Sequence, residues 1–440
     1  MTSFGPAEFA LSISALGPFE SAPHIAVACS GGADSLALTL LADGWAREAG
    51  GRVTALIVDH AMRRESAAEA TAVRAKLAGA GIEAVVLTRQ GAALQSDRQA
   101  GARRARYRLM TDWCRQAGVL HLLLGHHRGD QAETLMLRLG RGSGVDGLAA
   151  MAAVSENPHL RLLRPLLGVP REYLISFLRS RGQDWVEDPS NEDAAFARVR
   201  LRRMLPGLGE EGLTESRLAA TARRMARARG ALESAATALL ARSAAIYPEG
   251  YALLAPRELL AAPEDTGLRA LSRLLTCIGG SQHGPRMERL ERLYEWLARG
   301  EGGGRTLAGC RIVRRGPGEV AVCREAAATE DAVPASGGNV WDGRFWLSTD
   351  CLPDTRLCRL GPDGWAQVLV SDPGLRTQKL PADARNALPA IWRLEEVVAV
   401  PHFHYCATPP DEKAGDPTEL TFLPSRTLGP ARFSEVPGYA

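Results

Sequence analysis

The first half of the chain predicts an α/β fold with a doubly wound parallel sheet, and three observations support that prediction. Segments with the pattern of buried strands alternate with segments of helical length between residues 24 and 139. A glycine-rich turn joins the first such strand to the first such helix. Polar residues capable of chemistry follow directly after several predicted strands, where parallel sheets bind their ligands.

The predicted elements of this region come in a regular order. Strands are expected at 24–29, 53–58, 84–88 and 120–124, and helices at 34–48, 65–78, 98–117 and 130–139. Strands that alternate with helices are typical of βαβ units, in which every strand runs in the same direction. The carboxyl ends of the strands should therefore share one edge of the sheet.

The turn after the first strand consists of six residues, Ser30, Gly31, Gly32, Ala33, Asp34 and Ser35. A glycine-rich turn at a helix N-terminus gathers backbone N–H groups around one point and binds anions there. An aspartate in such a pocket calls for a metal ion or a ligand N–H group. The turn has neither the GxxxxGK[ST] spacing of a Walker loop nor the GxGxxG spacing of a dinucleotide fold.

The remaining chain predicts two further domains after a first domain at residues 1–209. Pro206 and the glycines that follow it should break the α/β pattern. The later parts are a mainly helical domain at 210–325, a polar linker at 325–339 and a β-rich domain at 340–440. The helical domain should begin with one long helix rich in alanine and arginine, at about 215–243.

Composition limits the class of protein. The 440-residue chain has a net charge of only +3, so a polyanionic partner must be met by local basic patches. Its eight cysteines form no CxxC pair, which argues against zinc and iron–sulfur sites and fits a reducing cytoplasm. No signal peptide and no run of 18 apolar residues is present, so we expect a cytoplasmic protein without a membrane partner.

Six further motifs follow the SGGADS turn in order. They are VDHAMRRES (58–66), QAGARRARY (99–107), GHHRGDQAET (125–134), LRLGRGSGVDGLAAM (137–151), RPLL (164–167) and DPSNED (188–193). Together with the turn they resemble the tRNA(Ile)-lysidine synthetase family, a group of PP-loop ATP-pyrophosphatases. The resemblance is specific over about residues 20–206 and extends to the later regions in layout only. It implies an adenine nucleotide α-hydrolase-like fold.

The resemblance also implies a reaction. Members of this family use ATP to adenylate the C2 carbonyl oxygen of the wobble cytidine, position 34, in the isoleucine tRNA with a CAU anticodon. The amine of free L-lysine then displaces AMP to give lysidine, which changes codon reading from AUG to AUA and tRNA identity from Met to Ile. ATP and Mg²⁺ are the implied cofactors, and tRNA and lysine are the implied partners. Whether the protein forms a homodimer is left open.

The resemblance assigns roles to particular residues. The nucleotide site is the Ser30–Ser35 turn, and Mg²⁺ ligands are sought at Asp34 and Asp130. The catalytic set is Asp34, Arg106, His126, Asp130 and Glu133, and the tRNA contacts are Asn191, Arg198 and Arg202. In the helix they begin, Asp130 and Glu133 lie three residues apart and so share one face, as a pair that binds and deprotonates the lysine ammonium would need.

Each assignment has a purely structural alternative. Two carboxylates in a first helical turn also compensate the helix dipole. The two adjacent histidines, His126 and His127, could fill a strand-to-helix turn, and at most one should enter the site. Asn191 could cap the next segment, and several arginines of 99–107 could form a solvated basic face. One departure from the family pattern is Gly129, where paired aspartates are usual.

Three other functions compete with this interpretation. Cytidine 2-thiolation on the same fold is the nearest, but such enzymes need paired cysteines or an iron–sulfur cluster, and no CxxC pair occurs. An amidotransferase-type relative would need a glutaminase, whose Cys-His signature is missing. A catalytically inactive RNA-binding protein would have no reason to keep Asp34, His126, Asp130 and Glu133.

Overall fold

The computed structural model describes residues 4–59, 66–89, 98–156, 159–186, 195, 197–316, 318–351, 353–407 and 419–429. Within them the chain forms two compact units, one up to Gly230 and one from Ala231 onward. No helix of the described ranges combines the length and apolar character needed to cross a lipid bilayer.

The first unit carries the α/β pattern that the sequence predicts. Its strands are β1 (His24–Ala28), β2 (Arg52–Asp59), β3 (Glu83–Thr88), β4 (His121–Leu123), β5 (Val154–Glu156) and β6 (Arg161–Leu163). Its helices are α1 (Pro6–Ser14), α2 (Ala33–Glu48), α3 (Ser66–Gly79), α4 (Arg98–Gln116), α5 (Arg128–Leu139), α6 (Val145–Leu148), α7 (Arg171–Ser180) and α8 (Ala197–Glu210). Helix α9 (Glu215–Ser243) begins here and continues into the second unit.

The six strands form one sheet in the order β3-β2-β1-β4-β6-β5. All neighbours are parallel except β5, which pairs antiparallel with β6 at the edge. The chain leaves β1 toward β2 and β3 and then returns to place β4 on the other side of β1. The topological switch point therefore lies between the carboxyl ends of β1 and β4, which is where open α/β sheets form their binding crevice. The predicted fold class is confirmed.

Apolar layers on both faces of the sheet explain why these segments fold as they do. One face packs α1, α2, α3 and α7 over β1 and β2 through residues such as Leu36, Leu38 and Leu174, each at most 2% exposed. The other face packs α4 through Met110 and Cys114 against the same sheet. Both faces of the sheet are covered, which is why its strands have nearly continuous apolar sequences.

A smaller apolar cluster joins α5 to α8 and α9 through Leu135, Leu205 and Leu218. The sequence predicted that the α/β pattern ends near Pro206; Pro206 itself lies inside α8, which runs on to Glu210 before α9 begins at Glu215. Burial of the neighbouring Leu205 in this cluster offsets the hydrogen bond that proline removes. The cluster sets α8 and the start of α9 against α5, near the switch point.

The second unit is a mixture of antiparallel sheets and helices. Its strands are β7 (Ala244–Tyr247), β8 (Tyr251–Leu254), β9 (Gly304–Leu307), β10 (Cys310–Arg314), β11 (Val320–Arg324), β12 (Val333–Pro334), β13 (Val340–Trp341), β14 (Phe345–Leu347), β15 (Arg356–Arg359), β16 (Pro389–Arg393), β17 (Glu396–Val400), β18 (Tyr405–Cys406) and β19 (Leu420–Phe422). Its helices are α10 (Pro256–Leu260), α11 (Glu264–Gly279), α12 (Met287–Arg299), α13 (Gly361–Ser371) and α14 (Ala382–Asn386).

These strands make three sheets, ordered β7-β8-β11-β10-β9, β12-β15-β16-β17-β18 and β13-β14-β19. The region is helical in its middle and β-rich toward its end, as the sequence predicts. Strands β7 and β8 were not expected, and they add a hairpin to the helical part. The segment 325–339, which the sequence suggests as a linker, contains a 3-10 turn and strand β12.

Candidate active site

The turn from Ser30 to Ser35 joins β1 to α2 at the switch point. The Ser35 hydroxyl organises it by accepting a hydrogen bond from the Ser30 amide at 3.2 Å and donating one to the Gly32 carbonyl at 3.0 Å. Gly31 has a φ of +84°, and a Cβ there would lie 2.4 Å from a methyl group of Val73. Only glycine fits, and the first amides of α2, which have no partner in the helix, are left to bind an anion.

Asp34 lies in the first turn of α2 and is paired with an arginine that the sequence analysis missed. Nε of Arg171, the first residue of α7, lies 3.2 and 3.3 Å from the two carboxylate oxygens of Asp34. Asp34 Oδ2 is also 3.9 Å from Nε2 of His127. Because Arg171 is far from Asp34 in sequence and outside the quoted motifs, only the packing of α7 on α2 could reveal the pair.

Gly125 brings the end of β4 against this turn. A Cβ at Gly125 would lie 3.2 Å from backbone atoms of Asp34 and Ser35. The close approach places His127, two residues later, beside Asp34. His127 is the N-cap of α5, where its Nδ1 accepts a hydrogen bond from the Gly129 amide at 3.1 Å. The sequence favoured His126 for the site, and the structure brings His127 to the carboxylates.

His126 faces a different set of neighbours. Burial is the main cause that lowers the pKa of His126 to about 4; Asp130 opposes this shift, and the charges of Arg164, Arg103 and Arg198 contribute to it. Its Nδ1 is buried and has no hydrogen-bond partner within the described part of the chain. The imidazole is therefore neutral near pH 7 and lies among guanidinium groups with a ring nitrogen available to a ligand.

Arg106 belongs to this basic side of the site. Burial lowers its pKa, and the positive charges of Arg103 and Arg198 act in the same direction. The guanidinium carbons of Arg103 and Arg106 lie 5.2 and 5.8 Å from the ring centre of Tyr107. Arginines held this close to one another favour an anionic ligand.

Asp130 and Glu133 project from the first turns of α5, as their spacing predicts. The Asp130 carboxylate accepts a hydrogen bond from the His127 amide at 2.9 Å and lies 3.5 Å from Nε2 of the same residue. Glu133 is 2% exposed, and burial raises its pKa against the opposing effect of Arg202. Asp130 thus lies near the turn that begins α2, and Glu133, one helical turn further along α5, is deeply buried.

Arg202 of α8 pairs with Glu133, a contact that the sequence did not indicate. Its Nε donates to Glu133 Oε1 at 2.8 Å, while Glu133 Oε2 is buried with no hydrogen-bond partner in the described ranges. The sequence suggested Arg202 as a contact to RNA or phosphate. Its side chain is 49% exposed, so one face of the guanidinium is open while Nε is bound to Glu133.

Gly129 is explained by crowding. A Cβ at this position would lie 2.9 Å from Cε1 of His127 and 3.3 Å from Oε1 of Glu215, the first residue of α9. The ring of the capping histidine therefore requires glycine, and the Glu215 carboxylate brings a negative charge close to the place where paired aspartates are usual. Asn191, suggested as a cytidine contact, lies outside the described residues.

The carboxylates can be tested as a site for Mg²⁺. Asp34 and Asp130 approach the same imidazole nitrogen, at 3.9 and 3.5 Å, and carboxylate oxygens are the donors that Mg²⁺ prefers. The described residues contain no group of three metal-ligating side chains. A magnesium ion bound through one or two carboxylates and substrate phosphates needs no such group, so the donor set fits the ion.

Comparisons with known proteins agree with this geometry. Residues 8–208 match the PP-loop domain family, whose members use ATP. The tRNA(Ile)-lysidine synthase of Ruegeria pomeroyi is 39% identical over 86% of this chain and 88% of its own length. The enzyme of the same name from Wolbachia pipientis is 30% identical over 87% of this chain and 89% of its own length.

Among solved structures, a U34-tRNA thiolase from Methanococcus maripaludis is 17% identical. It covers 51% of this chain and 78% of its own, with a TM-score of 0.43, and this likeness adds nothing to the assignment. Two observations support one assignment: the long matches to lysidine synthases, and a PP-loop that lies near the Asp130 carboxylate in the first turn of α5. The chain belongs to the tRNA(Ile)-lysidine synthase family.

Proposed function

We propose that this protein ligates L-lysine to C2 of the wobble cytidine of the CAU-anticodon isoleucine tRNA, with cleavage of ATP to AMP and pyrophosphate. The observation that carries the proposal is the buried carboxylate of Glu133, one oxygen of which has no hydrogen-bond partner among the described residues. It follows Asp130 by one helical turn, and Asp130 and Asp34 of the anion-binding turn approach the same nitrogen of His127. Such a site can hold a polyphosphate and an ammonium group side by side. The reaction requires both.

The first step is adenylation of the cytidine. The turn from Ser30 to Ser35 holds the pyrophosphate part of ATP with backbone amides and hydroxyls, while Arg106 and neutral His126 bind the α-phosphate. These groups are fixed before the substrate arrives, so the negative charge that develops on the leaving group meets donors already oriented toward it. The release of pyrophosphate leaves AMP on the C2 oxygen of the base.

Magnesium would be held by Asp34 and Asp130 together with phosphate oxygens. When bound, it would supply positive charge to the phosphates that leave. Asp130 is kept in place by the His127 amide, which leaves its other oxygen free for a ligand.

The second step needs the neutral amine of lysine. At its ordinary pKa of about 10.4, only roughly one lysine in 2,500 is neutral at pH 7. Asp130 and Glu133 bind the ammonium, and Glu133, whose pKa is raised by burial, accepts the proton. The uncharged amine then attacks C2. The bond between C2 and its oxygen breaks, and AMP leaves with that oxygen and the electron pair.

The tRNA is proposed to bind at this site through Asn191, Arg198 and Arg202. Helix α9 is proposed to contact the anticodon stem. The domains suggested at 210–325 and 340–440 stay predictions as further tRNA-binding regions. A cytoplasmic location follows from the proposed substrate, and the homodimer stays a prediction for light scattering to test.

Thiolation is the second candidate, and the cysteines do not favour it. Cys29, next to the PP-loop, is buried, and burial raises the pKa of its thiol, as it raises that of Cys114 to about 12. A thiolate nucleophile needs the opposite shift. The described part of the chain places no two cysteines at this site.

The deciding experiment supplies the purified chain with ATP, Mg²⁺, radiolabelled lysine and the isoleucine tRNA with a CAU anticodon. We expect label in the RNA and release of pyrophosphate, and loss of both with Asp34→Ala. Methionine tRNA with the same anticodon is the matched control for RNA identity. No transfer of lysine, or transfer unaffected by Asp34→Ala, would contradict the proposal.

The tRNA track has its own test. Arg224 and Arg227 of α9 are exposed, whereas Arg217 donates to the Gly212 carbonyl at 3.1 Å and so has a structural role. Changing Arg224 or Arg227 to alanine should raise the KM for tRNA and reduce its salt dependence by about one counterion each. Arg217→Ala is the comparison variant. An unchanged KM at both exposed positions would remove α9 from the RNA path.

A further inference from the structure

The pair between Arg171 and Asp34 raises the question of what the arginine does. Its Nε points to both oxygens of Asp34, at 3.2 and 3.3 Å. The structure shows no other hydrogen bond of this side chain within the described residues, and the side chain is 51% exposed. A guanidinium has five N–H donors, so its outer nitrogens are left for a ligand.

Charge makes this arrangement significant. The turn from Ser30 to Ser35 offers neutral amides and hydroxyls, and Asp34 adds a negative charge at its helical end. Asp34 would repel a polyphosphate in that turn unless cations balance its charge, because like charges a few ångströms apart disfavour each other strongly away from bulk water. Arg171 offsets the aspartate and adds a cation with free donors beside the turn.

The backbone that carries the pair is rigid. Helices α2 and α7 pack through the same apolar core, in which Leu36, Leu174 and Leu178 are 2% exposed or less. The two side chains come from the first turns of both helices, so they meet without a mobile loop. Sites built on packed helices hold a donor more accurately than sites built on loops.

We propose that Arg171 is a binding residue for the pyrophosphate part of ATP and that Asp34 positions its guanidinium. This inference rests on the proposed ATP-dependent function and extends it to a residue outside the PP-loop. The fixed fork of arginine suits phosphate oxygens, since two parallel N–H groups can reach them while Nε stays on the carboxylate. The carboxylate thus acts on the phosphate through the arginine.

Calorimetric titration of the full chain with pyrophosphate, ATP and AMP in Mg²⁺ tests this inference. Arg171→Ala should weaken pyrophosphate and ATP binding by about 10- to 100-fold and leave AMP binding unchanged, because AMP lacks the group that Arg171 holds. Arg171→Lys keeps the charge but not the planar guanidinium, so its affinity for pyrophosphate and ATP should lie between those of wild type and Arg171→Ala. Arg179→Ala, an exposed arginine at the other end of α7, is the matched control.

The possible results separate the two proposals. If Arg171→Ala binds pyrophosphate as tightly as wild type, the inference is wrong while the ATP-dependent function stands. Equal weakening of AMP and pyrophosphate would also overturn it, since that indicates a general loss of charge or fold. A wild-type chain that binds neither ATP nor pyrophosphate would overturn the proposed function itself.

Discussion

Each unit of the molecule contains a carboxylate buried against arginine, and the two carboxylates differ in how many of their oxygens are paired within the described residues. In the second unit, Asp342 is 1% exposed and accepts hydrogen bonds from Arg324 at 2.7 and 2.9 Å, from Arg344 at 2.9 Å and from the Glu330 amide at 3.0 Å. In the first unit, Glu133 accepts one hydrogen bond, from Arg202.

The difference shows what each carboxylate is for. The Asp342 cluster connects β11 to the β13–β14 hairpin, and both oxygens of the carboxylate are used. Glu133 keeps one buried oxygen without a partner in the described part of the chain, which costs stability because a desolvated acceptor has lost water without gaining a partner. A carboxylate with both oxygens paired indicates a structural role, and one with an oxygen left unpaired by the described residues indicates a place for a ligand.

Replacing Asp342 with alanine should have the largest effect on stability. Two buried guanidinium groups would lose the carboxylate they share, and breaking a buried pair in this way costs about 3–5 kcal/mol. Asp342→Asn isolates the charge, since asparagine suits the φ of +54° at this position. Chemical denaturation measures both variants. A loss below about 1 kcal/mol for Asp342→Ala would remove the contrast between the two clusters.

Glu133→Gln should give the opposite result, with a large loss of activity and little change in stability. Glutamine keeps an acceptor for Arg202 but can neither balance the lysine ammonium nor accept its proton, so lysine transfer should fall at least about 100-fold. The free energy of unfolding should change by no more than about 1 kcal/mol. Glu48→Gln, an exposed acid at the far end of α2, is the control. Normal lysine transfer by Glu133→Gln would make this cluster structural too.

The elements around this site were predictable from the sequence because their patterns are local. Strand β1, the glycine turn and α2 follow from apolar periodicity and two glycines, and Asp130 and Glu133 share a face because of helical spacing. The predicted strands and helices up to Leu139 differ from the observed ones by only one or two residues at their ends.

The partners of those residues were not predictable. Arg171 meets Asp34 across 137 positions of sequence, and Arg202 meets Glu133 across 69. Each contact depends on how one helix packs against another, which a single sequence does not encode in its periodicity. Strands β7 and β8 were missed for a related reason, since they continue directly from α9 and are only four residues long.

Arg202→Ala should sharpen the interpretation of Glu133 through its pH dependence. Burial already raises the pKa of Glu133, and Arg202 opposes that rise. Loss of the arginine should raise the pKa of Glu133 further, so the acidic limb of kcat/KM for lysine should move to higher pH. A rate profile between pH 5.5 and 9 measures this limb.

The control for this shift is the double variant Glu133→Gln/Arg202→Ala. Without the carboxylate, Arg202 should have no effect on the acidic limb. The residual rates of Glu133→Gln and of the double variant should therefore depend on pH in the same way. If Arg202→Ala changes the KM for tRNA and leaves the limb where it was, the arginine acts on RNA and not on Glu133.

The smallest expected effect concerns His126 and is a change in how the free energy of unfolding depends on pH. Its pKa is about 4 in the fold and about 6.5 in the unfolded chain, so below pH 6.5 the unfolded chain binds a proton that the folded chain refuses. Stability should therefore fall as the pH drops from 7 to 5, by about 2 kcal/mol more in wild type than in His126→Gln. Urea denaturation at both pH values measures the difference, and equal losses would contradict it.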